Sequence, residues 1–124
     1  RADVVERMSR ASVLVLPSIE DGFGMVQMEA MACGCPVITS ANAGCADFLL
    51  DGEDGLIVPA GDADALAAAL LRLYEDRSLR AAISEAALQR VKSIGGWNRY
   101  GDALCDALID VMKKSGRHVT VLPG

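Results

Sequence analysis

The sequence predicts an α/β fold built on a parallel sheet, and three observations indicate it. Short apolar runs rich in β-branched residues occur at residues 12–17, 36–39 and 55–59, as is typical of strands buried on both faces. Helix-forming stretches alternate with these runs, which favours strand-helix-strand units with right-handed crossovers. The 124 residues fit one small domain and not two. We therefore expect the second half of a Rossmann-like, doubly wound parallel sheet, with about three parallel strands and flanking helices.

Local composition predicts the helices of the first half. Residues 2–10 are typical of the end of a helix. Residues 24–33 are good helix formers, and Gly34 and Pro36 then supply a stop. A short helix is expected around residues 47–50, between the second and third strands.

Amphipathic helices are expected in the second half. Asp62 is a good N-cap for a helix whose apolar residues recur at i, i+3, i+4 and i+7. Asp76 is expected to cap the next helix, and Trp97 to open the last one after Gly95 and Gly96. Aromatic residues at such a helix start usually pack in a core or an interface.

The domain organisation follows from the small number of strands. A sheet of this size leaves the apolar residues 13–16 at an edge without a neighbour, and edges of that kind invite association. We expect residues 1–115 to be a partial Rossmann-like domain whose first half precedes them or comes from another chain. Residues 116–124 form a tail, with a strand-like segment at 119–122.

Charge and hydropathy limit the partners. The net charge is −5, and the 12 Lys and Arg residues are scattered, which argues against nucleic acid as a partner. No run reaches the roughly 20 uncharged apolar residues of a transmembrane helix, and the charged start is unlike a secretory signal. We expect a cytoplasmic protein, with a peripheral position at the inner membrane face left open for the full-length protein.

The cysteines do not indicate a metal site. Their positions, 33, 35, 45 and 105, match no zinc or disulfide framework. Only Gly34 separates Cys33 from Cys35, which is too close for the usual redox pair. We expect small buried apolar residues with free thiols.

The candidate ligand site lies beyond the carboxyl ends of the strands, where ligands bind in open parallel sheets. The loops there are residues 18–24, 40–44 and 60–62. In the first loop, Gly22 and Gly24 allow close approach of a ligand, and the N–H groups that start the next helix suit an anion. Phosphate binding and plain turn geometry both explain these glycines.

Two carboxylates strengthen the case for a ligand site at the first loop. Glu29 is the only charged residue in its helix, and a buried carboxylate needs partners. An ion pair or hydrogen bond within the fold is one explanation, and the paired hydroxyls of a bound ribose are the other. Asp21 is either a turn residue or, together with Glu29, one of two groups that grip different parts of an elongated ligand.

A set of motifs occurs in one order: Leu16-Pro17-Ser18, Asp21-Gly22-Phe23-Gly24, residues 29–37, residues 52–59 and Gly61-Asp62. In order and spacing these motifs, across roughly residues 11–90, resemble the C-terminal domain of retaining glycosyltransferases of family four. Those enzymes have the GT-B fold, with two Rossmann-like domains facing each other across a cleft. Their signature is an acidic residue, seven intervening positions and a glutamate, and Asp21 and Glu29 occupy those places.

The resemblance implies a role for each residue of the signature. It implies that Glu29 holds the ribose hydroxyls of a nucleotide-sugar and that Asp21, the catalytic candidate, contacts the donor sugar near the reacting carbon. It further implies that the backbone of Gly22, Phe23, Gly24, Met25 and Val26 meets the sugar and the diphosphate. This chain departs from the family at two places. The family usually has Glu where this chain has Asp21. In the loop at 43–47 the family often has a Gly pair followed by Glu, which this chain lacks, so we assign that loop no ligand role.

The implied reaction is transfer of a sugar from a nucleotide-diphosphate sugar to an acceptor hydroxyl, with retention at the anomeric carbon and no essential metal or cofactor. The family's basic pair lies earlier in the same domain, and its acceptor surroundings lie largely on the N-terminal domain. The full-length protein is thus expected to be a hexosyltransferase-like enzyme, and this chain alone to be inactive. Its expected partners are the donor, the N-terminal domain, and a glycan, lipid or small-molecule acceptor.

Two other interpretations stay open. A sugar-nucleotide epimerase or a phosphorylase on the same scaffold would also bind phosphate at a helix start, although the site loops contain no lysine suited to a pyridoxal Schiff base. A non-catalytic interaction module on a degenerate GT-B half-domain would instead use the exposed strand edge and the Trp97 helix to pair with another chain.

Overall fold

Three short parallel strands form the sheet: β1 (Leu14–Leu16), β2 (Val37–Ser40) and β3 (Leu56–Val58). They lie in the order β1-β2-β3, with Leu14 opposite Val37 and Ile38 opposite Leu56. The computed structural model describes residues 2–20, 22, 25–94 and 96–116. Within that part of the chain, the predicted α/β fold with a three-stranded parallel sheet is confirmed. As expected, β1 is an edge strand there, because it pairs with β2 alone.

Helices and strands alternate as far as α3, and two more helices follow it: α1 (Ala2–Arg10), α2 (Met25–Ala32), α3 (Ala63–Glu75), α4 (Arg77–Ile94) and α5 (Gly96–Ser115). The expected caps of α3 and α4 are confirmed. Asp62 Oδ1 accepts from the Ala65 N–H, and Asp76 Oδ1 accepts from the Leu79 N–H, each at 2.9 Å. Caps of this kind are typically worth about 1 kcal/mol each.

The short helix between β2 and β3 lies earlier than predicted. It is a 3₁₀ helix at Gly44–Asp47, not a helix around 47–50. The helix does not continue because the Leu50 N–H donates to Asp54 Oδ1 at 2.7 Å, so a side chain replaces the helical acceptor. The chain then turns into β3 through Gly52, whose φ of 81° lies in the left-handed region.

Strand β2 is the centre of the core, and all four of its residues are buried. On one face, Val37 belongs to a cluster with Ala30 and Met31 of α2. On the other face, Ile38 packs with residues of β3, α3 and α4, including Leu73 and Ile83. Burial on both faces is consistent with the two consecutive apolar residues, Val37 and Ile38, that begin the strand.

The residues up to Ser93 form one compact unit and those from Ile94 another. In the second unit, α5 begins at Gly96, one residue before the predicted start at Trp97. The strand-like segment at 119–122 lies outside the described residues. No helix in the described ranges is long and apolar enough to span a bilayer.

Candidate functional site

The carboxyl ends of β1 and β2 bring two of the predicted loops together. Leu16 lies opposite Thr39 in the sheet, so the loops that follow these strands start side by side. Three hydrogen bonds then join residues 40–44, the end of β2 and the loop after it, to carbonyl oxygens of the loop after β1: Ser40 Oγ to Ser18, Asn42 Nδ2 to Ile19 at 3.0 Å, and Gly44 N to Gly22 at 2.7 Å. At the other side of β2, the Ala41 N–H donates to the Val58 carbonyl at 2.8 Å.

Helix α2 presents its positive end at this edge of the sheet. It connects β1 to the parallel strand β2 and so runs antiparallel to both, with its N-terminus beside the strand ends. The first N–H groups of a helix lack acceptors within the helix and carry partial positive charge. No acidic residue lies in the first turn of α2 to neutralise it. The described part of the helix begins at Met25, and this start can stabilise an anion.

Gly22 leaves open space next to that helix start. The residue is exposed, and a Cβ built on it would meet no protein atom within 4 Å. By contrast, a Cβ on Gly55 would lie 3.0 Å from Leu49 Cδ1, so packing explains that glycine. No packing contact of that kind requires a glycine at position 22, which is compatible with a ligand approaching the backbone there.

Glu29 lies on the outer side of α2. The buried stripe of this helix is Gln27, Ala30 and Met31. Because each residue turns the helix by about 100°, Glu29 points roughly opposite that stripe. The sequence predicted a buried carboxylate, and Glu29 is instead half-buried because its face of the helix is turned away from the sheet. It lies about 6 Å along the helix axis from Met25, on the same side of the helix.

The described site residues are therefore close together along the chain. Gly22, Met25, Val26 and Glu29 lie on the loop after β1 and on α2, with Gly22 exposed, Met25 half-buried and Val26 37% exposed. The other three predicted residues, Asp21, Phe23 and Gly24, lie outside the described residues.

Sequence reasoning missed three polar residues near this edge. Ser40 and Asn42 hold the loop after β1, and their signal was a pair of small polar residues at the end of a buried strand. Gln27 is fully buried in α2, yet neither of its side-chain polar atoms has a hydrogen-bond partner in the described part of the chain. The sequence feature that could have identified Gln27 is a single amide in an otherwise apolar helix face.

The four cysteines are free, as predicted, but only two of them are buried. Cys35 and Cys45 are buried, Cys33 is half-buried and Cys105, on α5, is exposed. Burial raises the pKa of the Cys35 thiol. Burial, together with the charge of Asp54, raises the pKa of Cys45 to about 11. Both buried thiols are therefore protonated at neutral pH and are poor nucleophiles and metal ligands.

The chain is similar in sequence to known proteins. The glycosyl transferases group 1 family matches residues 1–90. The D-inositol 3-phosphate glycosyltransferase of Kribbella flavida is 38% identical over 85 residues, which are 68% of this chain and 20% of that protein. The chain thus spans about a fifth of the length of this relative.

Solved structures agree with the sequence relatives. Sucrose-phosphate synthase from Thermosynechococcus elongatus superposes with a TM-score of 0.76 and 34% identity, over 86% of this chain and 27% of that chain. Anabaena Alr3699/HepE in complex with UDP-glucose has a TM-score of 0.71 and 28% identity, over 75% of this chain and 26% of that chain. These neighbours are GT-B glycosyltransferases, which confirms the fold that the resemblance implied. The chain belongs to the group 1 glycosyl transferases.

Proposed function

We propose that this chain is the donor-binding part of a retaining, hexosyltransferase-like enzyme. The full-length enzyme would transfer a sugar from a nucleotide-diphosphate sugar to an acceptor hydroxyl. The observation that carries the proposal is the placement of Glu29 on the same side of α2 as Met25, about 6 Å from the positive end of the helix. The UDP-glucose bound by Anabaena Alr3699/HepE supports a nucleotide-sugar as the ligand class.

Two parts of this chain would bind the donor. The carboxylate of Glu29 has two oxygens that can accept from neighbouring ribose hydroxyls. The N–H groups at Met25 and Val26 would stabilise negative charge as it develops on the departing diphosphate. The open space beside Gly22 leaves room for the donor next to the loop.

Asp21 is proposed to contact the donor sugar near the reacting carbon, as the family resemblance implies. The remaining charge stabilisation and the acceptor site would come from other segments of the full-length protein. The proposal includes no essential metal and no cofactor, and this chain alone would not catalyse transfer.

Calorimetry on the full-length protein tests the donor site. We expect one of UDP, GDP or ADP to bind the wild type, and Glu29→Gln to weaken that binding about 10- to 100-fold, because charged hydrogen bonds are worth about 1.5–3 kcal/mol. The matched control is Glu75→Gln, at the exposed end of α3, which should bind like the wild type. A wild type that binds none of the nucleotides would indicate the interaction module, and unchanged binding by Glu29→Gln would remove the ribose role.

The stereochemistry and metal dependence need separate measurements. Proton NMR of the first-formed product should show the anomeric configuration of the donor, and an inverted product would rule out retention. Transfer should persist in EDTA. Loss of activity in EDTA that added Mg²⁺ or Mn²⁺ restores would contradict the metal-independent reaction.

A further inference from the structure

The loop after β2 holds the loop after β1 by polar contacts. Ser40 Oγ donates to the Ser18 carbonyl, and Asn42 Nδ2 donates to the Ile19 carbonyl at 3.0 Å. Ser40 is the fully buried last residue of the central strand. Its hydroxyl therefore joins the loop to the strand that is buried throughout its length.

Apolar packing does not hold the loop at Ile19. The Ile19 side chain is 74% exposed, so burial contributes little to fixing its position. The carbonyl of the same residue is the acceptor for Asn42. The backbone at this point is thus oriented by a side chain of the neighbouring loop and not by the residue's own side chain.

The held residues flank the acidic end of the family signature. Only Glu20 and Asp21 separate Ile19 from Gly22 along the chain, and the Gly22 carbonyl accepts from the Gly44 N–H at 2.7 Å. Glu29, by contrast, belongs to α2 and not to the loop that these bonds hold. The contacts therefore hold the loop that is proposed to meet the sugar, whereas the residue proposed to bind the ribose of the nucleotide lies on the helix.

We propose that Ser40 and Asn42 are positioning residues for sugar transfer, acting through the loop that carries Asp21. This inference rests on the proposed function. Errors of about 1 Å in the placement of reacting groups can cost about 100-fold in rate. Loss of either contact should therefore lower kcat, whereas nucleotide affinity, which depends on Glu29 and the start of α2, should stay as it is.

The test compares transfer kinetics with nucleotide binding in the full-length protein. Asn42→Leu keeps the approximate shape of an exposed side chain and removes its donor, and Ser40→Ala removes the hydroxyl. We expect each variant to lower kcat about 10- to 100-fold, with the Kd for the nucleoside diphosphate within about twofold of the wild type.

Ser84→Ala is the matched control. Ser84 Oγ donates to the carbonyl of Gly34, so this variant removes the same kind of contact at the opposite end of α2. It should keep the wild-type kcat even where its melting temperature falls as far as that of Ser40→Ala.

The outcomes separate the positioning role from the proposed function. Wild-type kcat in Asn42→Leu would overturn the positioning role while nucleotide binding and transfer still stand. An equal loss of kcat in Ser84→Ala would also overturn it, because general destabilisation would then explain the effect. A wild-type protein that neither binds nucleotide nor transfers sugar would instead refute the proposed function itself.

Discussion

Nε of Arg90 donates to Oδ2 of Asp54 at 2.7 Å, and the Asp54 side chain is only 4% exposed. The other carboxylate oxygen accepts from the Leu50 N–H at 2.7 Å. The Arg90 guanidinium also lies over the ring of Phe48, 5.7 Å from its centroid. One ion pair therefore fastens the turn that leads into β3 to helix α4.

Breaking this pair from the arginine side should be strongly destabilising. In Arg90→Met the buried carboxylate of Asp54 loses its counter-charge, and such losses cost about 3–5 kcal/mol. Urea unfolding followed by circular dichroism measures the change. The matched control is Asp110→Asn, which breaks an exposed pair with Lys114 of the same 2.7 Å length and should cost less than about 1 kcal/mol. Equal losses in the two variants would show that burial of Asp54 does not govern the pair.

Thiol reactivity should follow exposure. At pH 8 Cys105 should react with iodoacetamide within minutes, because it is exposed. Cys35 and Cys45 should react only after unfolding, since burial raises the pKa of both thiols. Peptide mass spectrometry with and without urea gives the labelled positions. Rapid labelling of Cys45 in the native protein would contradict its placement in the core.

The raised pKa of Cys45 also predicts a pH dependence of stability. Its pKa is about 11 in the folded protein against an ordinary 9.0. The unfolded chain therefore loses this proton first, and the free energy of unfolding should be at its full value below pH 9 and fall as the pH rises towards 11. The loss from this residue is at most about 2–3 kcal/mol. Urea unfolding in this range should show a shallower decline in Cys45→Ala, and an identical decline would assign it to other groups.

Much of the fold could be predicted because it depends on local signals. Asp62 and Asp76 cap their helices through contacts only three residues away. The burial of β2 on both faces could be predicted from its consecutive β-branched residues, Val37, Ile38 and Thr39. These features need no knowledge of distant parts of the chain.

The remaining features depend on partners that are distant in sequence. Asn42 reaches a carbonyl that lies 23 positions earlier, so its positioning role is not visible in any local pattern. The 3₁₀ helix ends at Asp47, and the Leu50 N–H that follows it donates to the side chain of Asp54. The outward direction of Glu29 became clear only when the sheet showed which side of α2 is covered.

The buried amide of Gln27 leads to the last prediction. Within the described ranges, neither Gln27 Nε2 nor Gln27 Oε1 has a hydrogen-bond partner, and the same is true of Thr39 Oγ1. An unpaired polar group removed from water costs about 1–3 kcal/mol. Replacement by an apolar residue of similar shape removes this cost without leaving a cavity.

Gln27→Met should therefore raise the free energy of unfolding by about 1–3 kcal/mol, and Thr39→Val should act in the same direction. Gln89→Met is the matched control, because that exposed amide is bonded to Glu85 at 2.9 Å; it should change stability by less than about 0.5 kcal/mol. Destabilisation by Gln27→Met would mean that the Gln27 amide has hydrogen-bond partners in solution. If Thr39→Val is destabilising as well, a double-mutant cycle tells whether the two groups share one interaction, since only coupled residues deviate from additivity.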